Sequence, residues 1–207
     1  HCTHCYSMKM PKSWDELTVG QYQELHPTFE KEYKNPVDKV IEQLMILTNC
    51  SSDEVEALTV DDLHSLQEQM TFLNKPIDKR LRVIFKVKGN RYRFEVNARK
   101  LTGGAYMSAM HLAEKDPNTK LHQVLFNIAK PINRFGRDKK VGKDFYEDHV
   151  DDFKELPMSV AFPIVSFFLT LCQVLTTRIE DYSIQTLQKM NRNQKEAKAD
   201  LVQDMAG

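Results

Sequence analysis

The sequence predicts a predominantly α-helical α+β protein, a helical bundle with one central β-hairpin. Three observations lead there. Three segments repeat one helix start: Leu17-Thr18-Val19 running to Tyr22 and Leu25, Leu58-Thr59-Val60 running to Leu63 and Leu66, and Leu101-Thr102-Gly103 running to Tyr106 and Ala109. In each, Thr at the N-cap can accept a hydrogen bond from an orphaned backbone N–H, and the preceding Leu can close on the fourth helical residue as a hydrophobic staple. Between the second and third start the hydrophobic period falls from helical to two. Finally, only seven glycines occur among 207 residues, and good helix formers are plentiful.

Taken in order, residues 1–10 read as a leader or disordered extension, with Met8 or Met10 a natural start for the folded part. The first stapled helix is expected from about Val19 to Glu30. Asn35-Pro36 opens a second helix, Asn as cap and Pro at the first position, with Val37, Val40, Ile41, Leu44 and Leu47 on one face. A short acidic turn from Ser51-Ser52 leads to the second stapled helix, from about Val60 to Leu73. Asn74-Lys75-Pro76 separates an N-terminal helical subdomain, 11–75, from a hairpin plus C-terminal helical subdomain, 76–187. In the hairpin Val83, Phe85 and Val87 alternate with Arg82, Ile84, Lys86 and Lys88, Gly89-Asn90 supplies a type II′ turn, and Tyr92, Phe94 and Val96 alternate with Arg91, Arg93 and Glu95. The third stapled helix follows from Gly103 to about Lys115, then one carrying Leu121, Val124, Leu125 and Ile128. Pro131 to Gly142 reads as a basic connection, Phe145 to Glu155 as a short acidic helix, and Met158 to about Tyr182 as a long apolar helix. Residues 188–207 read as a flexible polar tail.

Lys plus Arg equal Asp plus Glu at 29 each, so no whole-chain charge argues for nucleic acid or membrane. The four cysteines form no framework, and a reduced intracellular protein is the simpler reading. His1-Cys2-Thr3-His4-Cys5 is the one cluster of metal-binding types, but it lacks a second pair to complete a zinc site, and Tyr6 stands where haem attachment needs His. The other histidines are scattered without a convincing nucleophile, and Gly103-Gly104 lacks the lysine of a phosphate loop. No catalytic residue, cofactor or metal site is assigned, and a non-enzymatic role is expected. The run Val160 to Leu175 is shorter than the roughly 20 residues of a membrane span. It is expected to be a core helix whose Phe162, Phe167, Phe168 and Leu171 fill the centre of a bundle.

Charge is nevertheless polarised. Arg82, Lys86, Lys88, Arg91 and Arg93 belong to a hairpin stretch with no acid from Lys79 to Arg93, and Arg134, Arg137, Lys139 and Lys140 to a second basic stretch with Phe135 available to stack on a base. Acidic counterparts lie at Asp53 to Asp62 and Asp144 to Glu155. A solvated face is the plainest reading, a protein contact the next and nucleic acid the third; opposite patches also suit self-association.

The opening Pro11-Lys12-Ser13-Trp14-Asp15-Glu16-Leu17-Thr18-Val19-Gly20-Gln21-Tyr22 resembles the start of small structural-module proteins of tailed bacteriophages, particularly phages of gut Bacteroidetes. The strand-to-helix segment Tyr92 to Met107 resembles an element of phage tail assembly chaperones, and Glu155-Leu156-Pro157-Met158-Ser159-Val160-Ala161 resembles the C-terminal part of the same proteins. The resemblance touches most of Pro11 to Tyr182 and rests on caps and packing positions. It implies an assembly protein that binds the tape-measure protein or tail-tube subunits in the host cytoplasm, with the virion as a second location. Trp14, Thr18, Tyr22, Thr102, Tyr106 and Pro157 carry over as scaffold residues. The C-terminal half is longer than in compact chaperones, a departure that leaves a virion connector as an alternative, beside a nucleic-acid-associated protein using 79–93 and 130–143.

Overall fold

A computed structural model describes residues 10–97, 100, 102–115, 118–142, 144–177 and 184–186. Helices dominate: α1 (Val19–Leu25), α2 (Pro27–Glu30), α3 (Pro36–Thr48), α4 (Ser52–Glu56), α5 (Val60–Gln69), α6 (Gly103–Lys115), α7 (Leu121–Ile128), α8 (Phe145–His149) and α9 (Met158–Thr177). Three short strands, β1 (Ile84–Val87), β2 (Asn90–Phe94) and β3 (Ala129–Ile132), form one antiparallel sheet in the order β1-β2-β3. The fold is thus α+β and mainly helical. Two compact units part within α9, one ending at Phe167 and the other starting at Phe168. The His1 to Cys5 cluster, Leu101 and the 188–207 tail lie outside the described residues, whereas Met10 is buried.

The helix starts are built by local chemistry. Thr18 Oγ1 accepts from the Gln21 N–H at 3.2 Å while Gln21 Oε1 accepts from the Thr18 N–H at 3.1 Å, a reciprocal capping box. Thr59 and Asp62 repeat it at α5, and Thr102 Oγ1 accepts from the Ala105 N–H at 3.3 Å. Ser51 and Glu54 form a further box, which makes α4 a five-residue helix where the sequence suggested a turn. The expected helix from Val19 to Glu30 is instead two, α1 and α2, parted at His26. Pro27 has no N–H to donate to the Gln23 carbonyl, so the i to i−4 ladder breaks there.

The hairpin turn also differs from expectation. Val87 pairs with Asn90, so the turn residues are Lys88 and Gly89, and their φ values of 42° and 81° are both positive. That is the signature of a type I′ rather than a type II′ turn, and it places a lysine where L-residues are strained. β3 replaces the start of the basic connection. Pro131 lies opposite Tyr92, at the sheet edge where a missing donor is tolerated. The acidic segment is α8 followed, after Val150, by a 3₁₀ turn at Asp151–Glu155.

The inner face of the sheet meets this turn. Phe153 sits edge-on to Tyr92 at 4.8 Å between ring centroids, to Phe126 of α7 at 5.2 Å and to Phe85 at 6.1 Å. All but Phe126 are buried. Such edge-to-face packing adds about 0.5–1.5 kcal/mol per pair beyond area burial. α1 packs on the same turn, where a Cβ on Gly20 would meet Lys154 Cβ and the Lys154 carbonyl oxygen, each at 3.3 Å.

Two segments far apart in sequence then form a joint. The Val19 N–H donates to the Leu156 carbonyl at 2.9 Å, the Met158 N–H to Leu17 at 2.8 Å and the Ser159 N–H to Trp14 at 3.0 Å, around a bridge between Thr18 and Pro157. Ser159 Oγ also donates to Asp15 Oδ1 at 2.6 Å. Leu17, Leu156 and Met158 are buried beneath it.

From this joint α9 runs 20 residues, about 30 Å at 1.5 Å per residue. It is longer than the Val160 to Leu175 run measured in the sequence, and it is long and apolar enough to cross a membrane by length and composition, with 44% of its most apolar stretch buried. Core helices of water-soluble proteins pass the same test. Met158, Ala161, Ile164 and Val165 are buried in the first unit, and Phe168 and Cys172 in the second. Phe162 and Phe167 do not fill the centre as expected: each is 37% exposed, because they lie off the buried three- and four-residue stripe.

Candidate functional site

The scaffold residues singled out in the sequence fall mainly at helix starts and at the joint. Trp14 donates its indole N–H to the Lys75 carbonyl at 2.9 Å and packs edge-on to Phe72 at 5.6 Å. Leu17 and Leu58 are buried, Leu63 is half-buried, and Tyr106 closes the first turn of α6 by donating its N–H to the Thr102 carbonyl at 3.0 Å. Burial, reinforced by the Glu30 carboxylate, raises the Tyr22 phenol above its ordinary value. Pro157 forms the bridge to Thr18. These side chains position elements and present no reactive array.

The basic residues divide. Pairing of β2 with β3 gathers Lys86, Arg91, Arg93 and Lys130 on the outer face of the sheet, and the two arginines reach the loop that carries Arg134. Lys86 lies directly opposite Arg91, and Arg93 directly opposite Lys130. Arg91 donates Nη1–H to the Arg134 carbonyl and Arg93 donates Nη1–H to the Gly136 carbonyl, both at 3.1 Å, while Arg93 also pairs with Asp138. The Arg91 Nε–H is buried without an acceptor. Arg134 lies 4.6 Å from the Phe135 ring centre, and Lys139 lies 6.0 Å from that of Phe145. Lys86, Arg137 and Lys140 form no ion pair with a described residue.

Lys88 and Arg82 go elsewhere. From the hairpin turn, Lys88 Nζ reaches Glu155 Oε1 at 2.8 Å and Asp152 Oδ1 at 3.5 Å, and the Glu155 hydrogen bond raises its pKa. Arg82 lines a cleft of about 240 Å³ with Asp15, Asp78, Arg80 and Ser159. There the Arg80 guanidinium, 2.6 Å from Asp78, holds the Asp78 carboxyl below its usual range. A second groove of about 280 Å³ lies over Phe29, Val40, Met70 and Leu73.

Two polar side chains are buried beneath the helices and the inner face of the sheet. His122 Nδ1–H donates to Gln23 Oε1 at 3.0 Å, and Nε2 lies 3.7 Å from Asp151. Burial, aided by Lys154 and Lys120 and opposed by Asp151, pulls its pKa down to about 4. Tyr92 is 1% exposed and its hydroxyl has no partner. Burial and the nearby Asp152 push that phenol up to about 12. His149 Nδ1 lies 2.9 Å from Asp152 Oδ2. Among the described residues no group of three His, Cys, Asp or Glu side chains could hold a metal ion.

Comparison with family models, curated proteins and solved structures gave no match.

Proposed function

We propose that this chain is a non-enzymatic phage assembly protein of the tail assembly chaperone type, which shields an apolar helical segment of a tape-measure protein or a tail-tube subunit in the host cytoplasm. The observation that carries this reading is that α9 leaves large apolar side chains open in each of the two units. Phe162, Phe167, Leu169 and Val174 are all exposed. Phe162 and Phe167 belong to the first unit, where Phe167 packs edge-on to Phe94, and Leu169 and Val174 to the second; apolar side chains left open on a helix are what a partner helix covers. Exposed rows of large apolar side chains carry a solubility cost in a free protein and suit a partner that covers them.

The joint supports the same reading. Two segments that resemble phage structural-module proteins, Pro11 to Tyr22 and Glu155 to Ala161, are hydrogen-bonded to each other, and α9 starts from that contact. Matched residues therefore set where the apolar helix begins.

The test is co-expression with the tape-measure protein of the same genome, read by size exclusion with light scattering and the 260/280 nm absorbance ratio. A stoichiometric complex of the two proteins is expected, and the absorbance ratio reports separately whether nucleic acid travels with it. Phe162→Asp and Leu169→Asp should each weaken it by about tenfold or more while the circular dichroism spectrum is preserved. A complex indifferent to both substitutions, or no complex at all, would sink the proposal.

A further inference from the structure

The outer face of the sheet is a different surface, and it is built against ordinary stability. Two like-charge pairs, Lys86 with Arg91 and Arg93 with Lys130, stand directly opposite across strands, an arrangement that costs free energy in an isolated sheet. Two acids offset part of this charge, Asp138 at Arg93 and Glu95 at 3.6 Å from Lys130. Lys86, Arg137 and Lys140 are left as exposed cations without an ion pair to a described residue.

Beside them the loop from Asn133 to Asp138 is tightly held. Asn133 Oδ1 accepts from the Phe135 N–H at 2.9 Å and the Arg137 N–H at 3.1 Å, and the Asn133 and Arg137 backbones pair at 2.8 Å. Gly136, at φ 75°, makes the reversal, and the Arg91 and Arg93 guanidiniums hold the loop from the sheet. The product of this ordering is Phe135, 71% exposed at the tip with Arg134 against its ring. A loop fixed by so many hydrogen bonds that presents an open aromatic ring among cations contributes little to its own core.

We infer that this face binds single-stranded nucleic acid, with the phosphates running over Lys86, Arg137 and Lys140 and a base stacking on Phe135. Exposed bases offer a π-face to Phe135, and the backbone offers the charge. A duplex hides its bases and engages only the cations. An acidic protein surface is the rival occupant, the nearest case being a second copy presenting its Asp53 to Asp62 cluster. Three of its five acids are already engaged: Glu54 and Asp62 close the capping boxes of α4 and α5, and Glu56 accepts from Ser52 at 2.6 Å. Such a partner would also leave Phe135 without a role.

The test uses the full chain and fluorescein-labelled 20-nucleotide oligo-dT and oligo-U, read by anisotropy from 50 to 300 mM salt, with a duplex of equal length beside them. Single strands should bind more tightly than the duplex, with affinity falling as salt rises at a log–log slope of about −2, as for three neutralised phosphates. Phe135→Ala should weaken single-strand binding by about fivefold or more and leave the duplex unchanged. The triple variant K86Q/R137Q/K140Q should flatten the salt slope. Both variants alter exposed side chains, and unchanged melting temperatures would establish that they fold. Absence of binding at 50 mM salt, or binding untouched by Phe135→Ala, would overturn the inference. So would a salt-sensitive dimer, seen by light scattering, that the triple variant abolishes and that oligonucleotides fail to compete.

Discussion

The two faces of the small sheet are made by alternate residues of the same strands, yet different forces shape them. On the inner face Phe85, Val87, Tyr92 and Phe94 are buried, and Phe153 closes over the rings of Phe85 and Tyr92 with Phe126 packed against it in turn. On the outer face Lys86, Arg91, Arg93 and Lys130 gather like charges, and the loop that crosses it holds Phe135 open to solvent. Strand alternation makes such a division possible because every second side chain changes side. The inner residues carry the aromatic core; on the outer face Ile132 is buried and Arg91 and Arg93 hold the loop, which leaves Lys86 and Phe135 exposed for recognition.

The largest way to break this comparison is Phe153→Ala, which removes the ring at the centre of the inner cluster. It should cost about 3–5 kcal/mol in denaturant unfolding, and a loss below about 1 kcal/mol would mean the inner face does not carry the fold. His122, one turn from Phe126 on α7, gives a pH test of the same side. Its folded pKa of about 4 lies below its unfolded value near 6.5, so the unfolded chain binds the extra proton first. The contribution is fully present above pH 6.5, is lost as pH falls towards 4, and amounts to ~3 kcal/mol at the limit. His122→Asn should flatten the stability profile across that window; an unchanged slope would assign it to other groups.

Tyr92→Phe probes the one unpartnered hydroxyl of the inner face. Deleting it should be neutral or stabilise by about 1 kcal/mol, since a buried hydroxyl without a partner is desolvated for no return. A clear destabilisation would reveal an acceptor or a bound water at that atom. On the outer face Lys86→Glu should change the least. Replacing a like-charge pair by an opposite one with Arg91 should stabilise by roughly 0.2–1 kcal/mol, measured by thermal melting at low salt.

Much of the local architecture was legible because its causes are local. A Thr cap and its partner lie three residues apart, so the starts at Thr18, Thr59 and Thr102 could be read directly. Alternation from Val83 to Phe94 announced the hairpin. Its turn was misassigned because Gly89-Asn90 offers good turn chemistry and nothing in the sequence marks Lys88 for positive φ; the pairing of Val87 with Asn90 settles it. β3 was hidden because four residues containing Pro131 have no strand pattern of their own and become a strand by pairing with β2. For the surfaces, residue types were readable and neighbours were not. The basic stretches at 82–93 and 134–140 were visible separately, but their meeting depends on β3. Gln23 and His122 come together through tertiary packing alone.

The hydrogen-bonded joint between the segment at Trp14 to Val19 and the start of α9 imposes an order of events during synthesis. Asp15 and Ser159 are 144 residues apart. At roughly 5–20 residues per second, the earlier segment waits about 7–30 s for its partner to be made, and longer for it to leave the ribosome. Throughout that interval Leu17 lacks the Met158 N–H that its carbonyl accepts in the finished protein, and the Val19 N–H lacks the Leu156 carbonyl. Closure of the first unit is therefore a late step, coupled to the appearance of the apolar helix. The first unit closes only as the start of α9 is made.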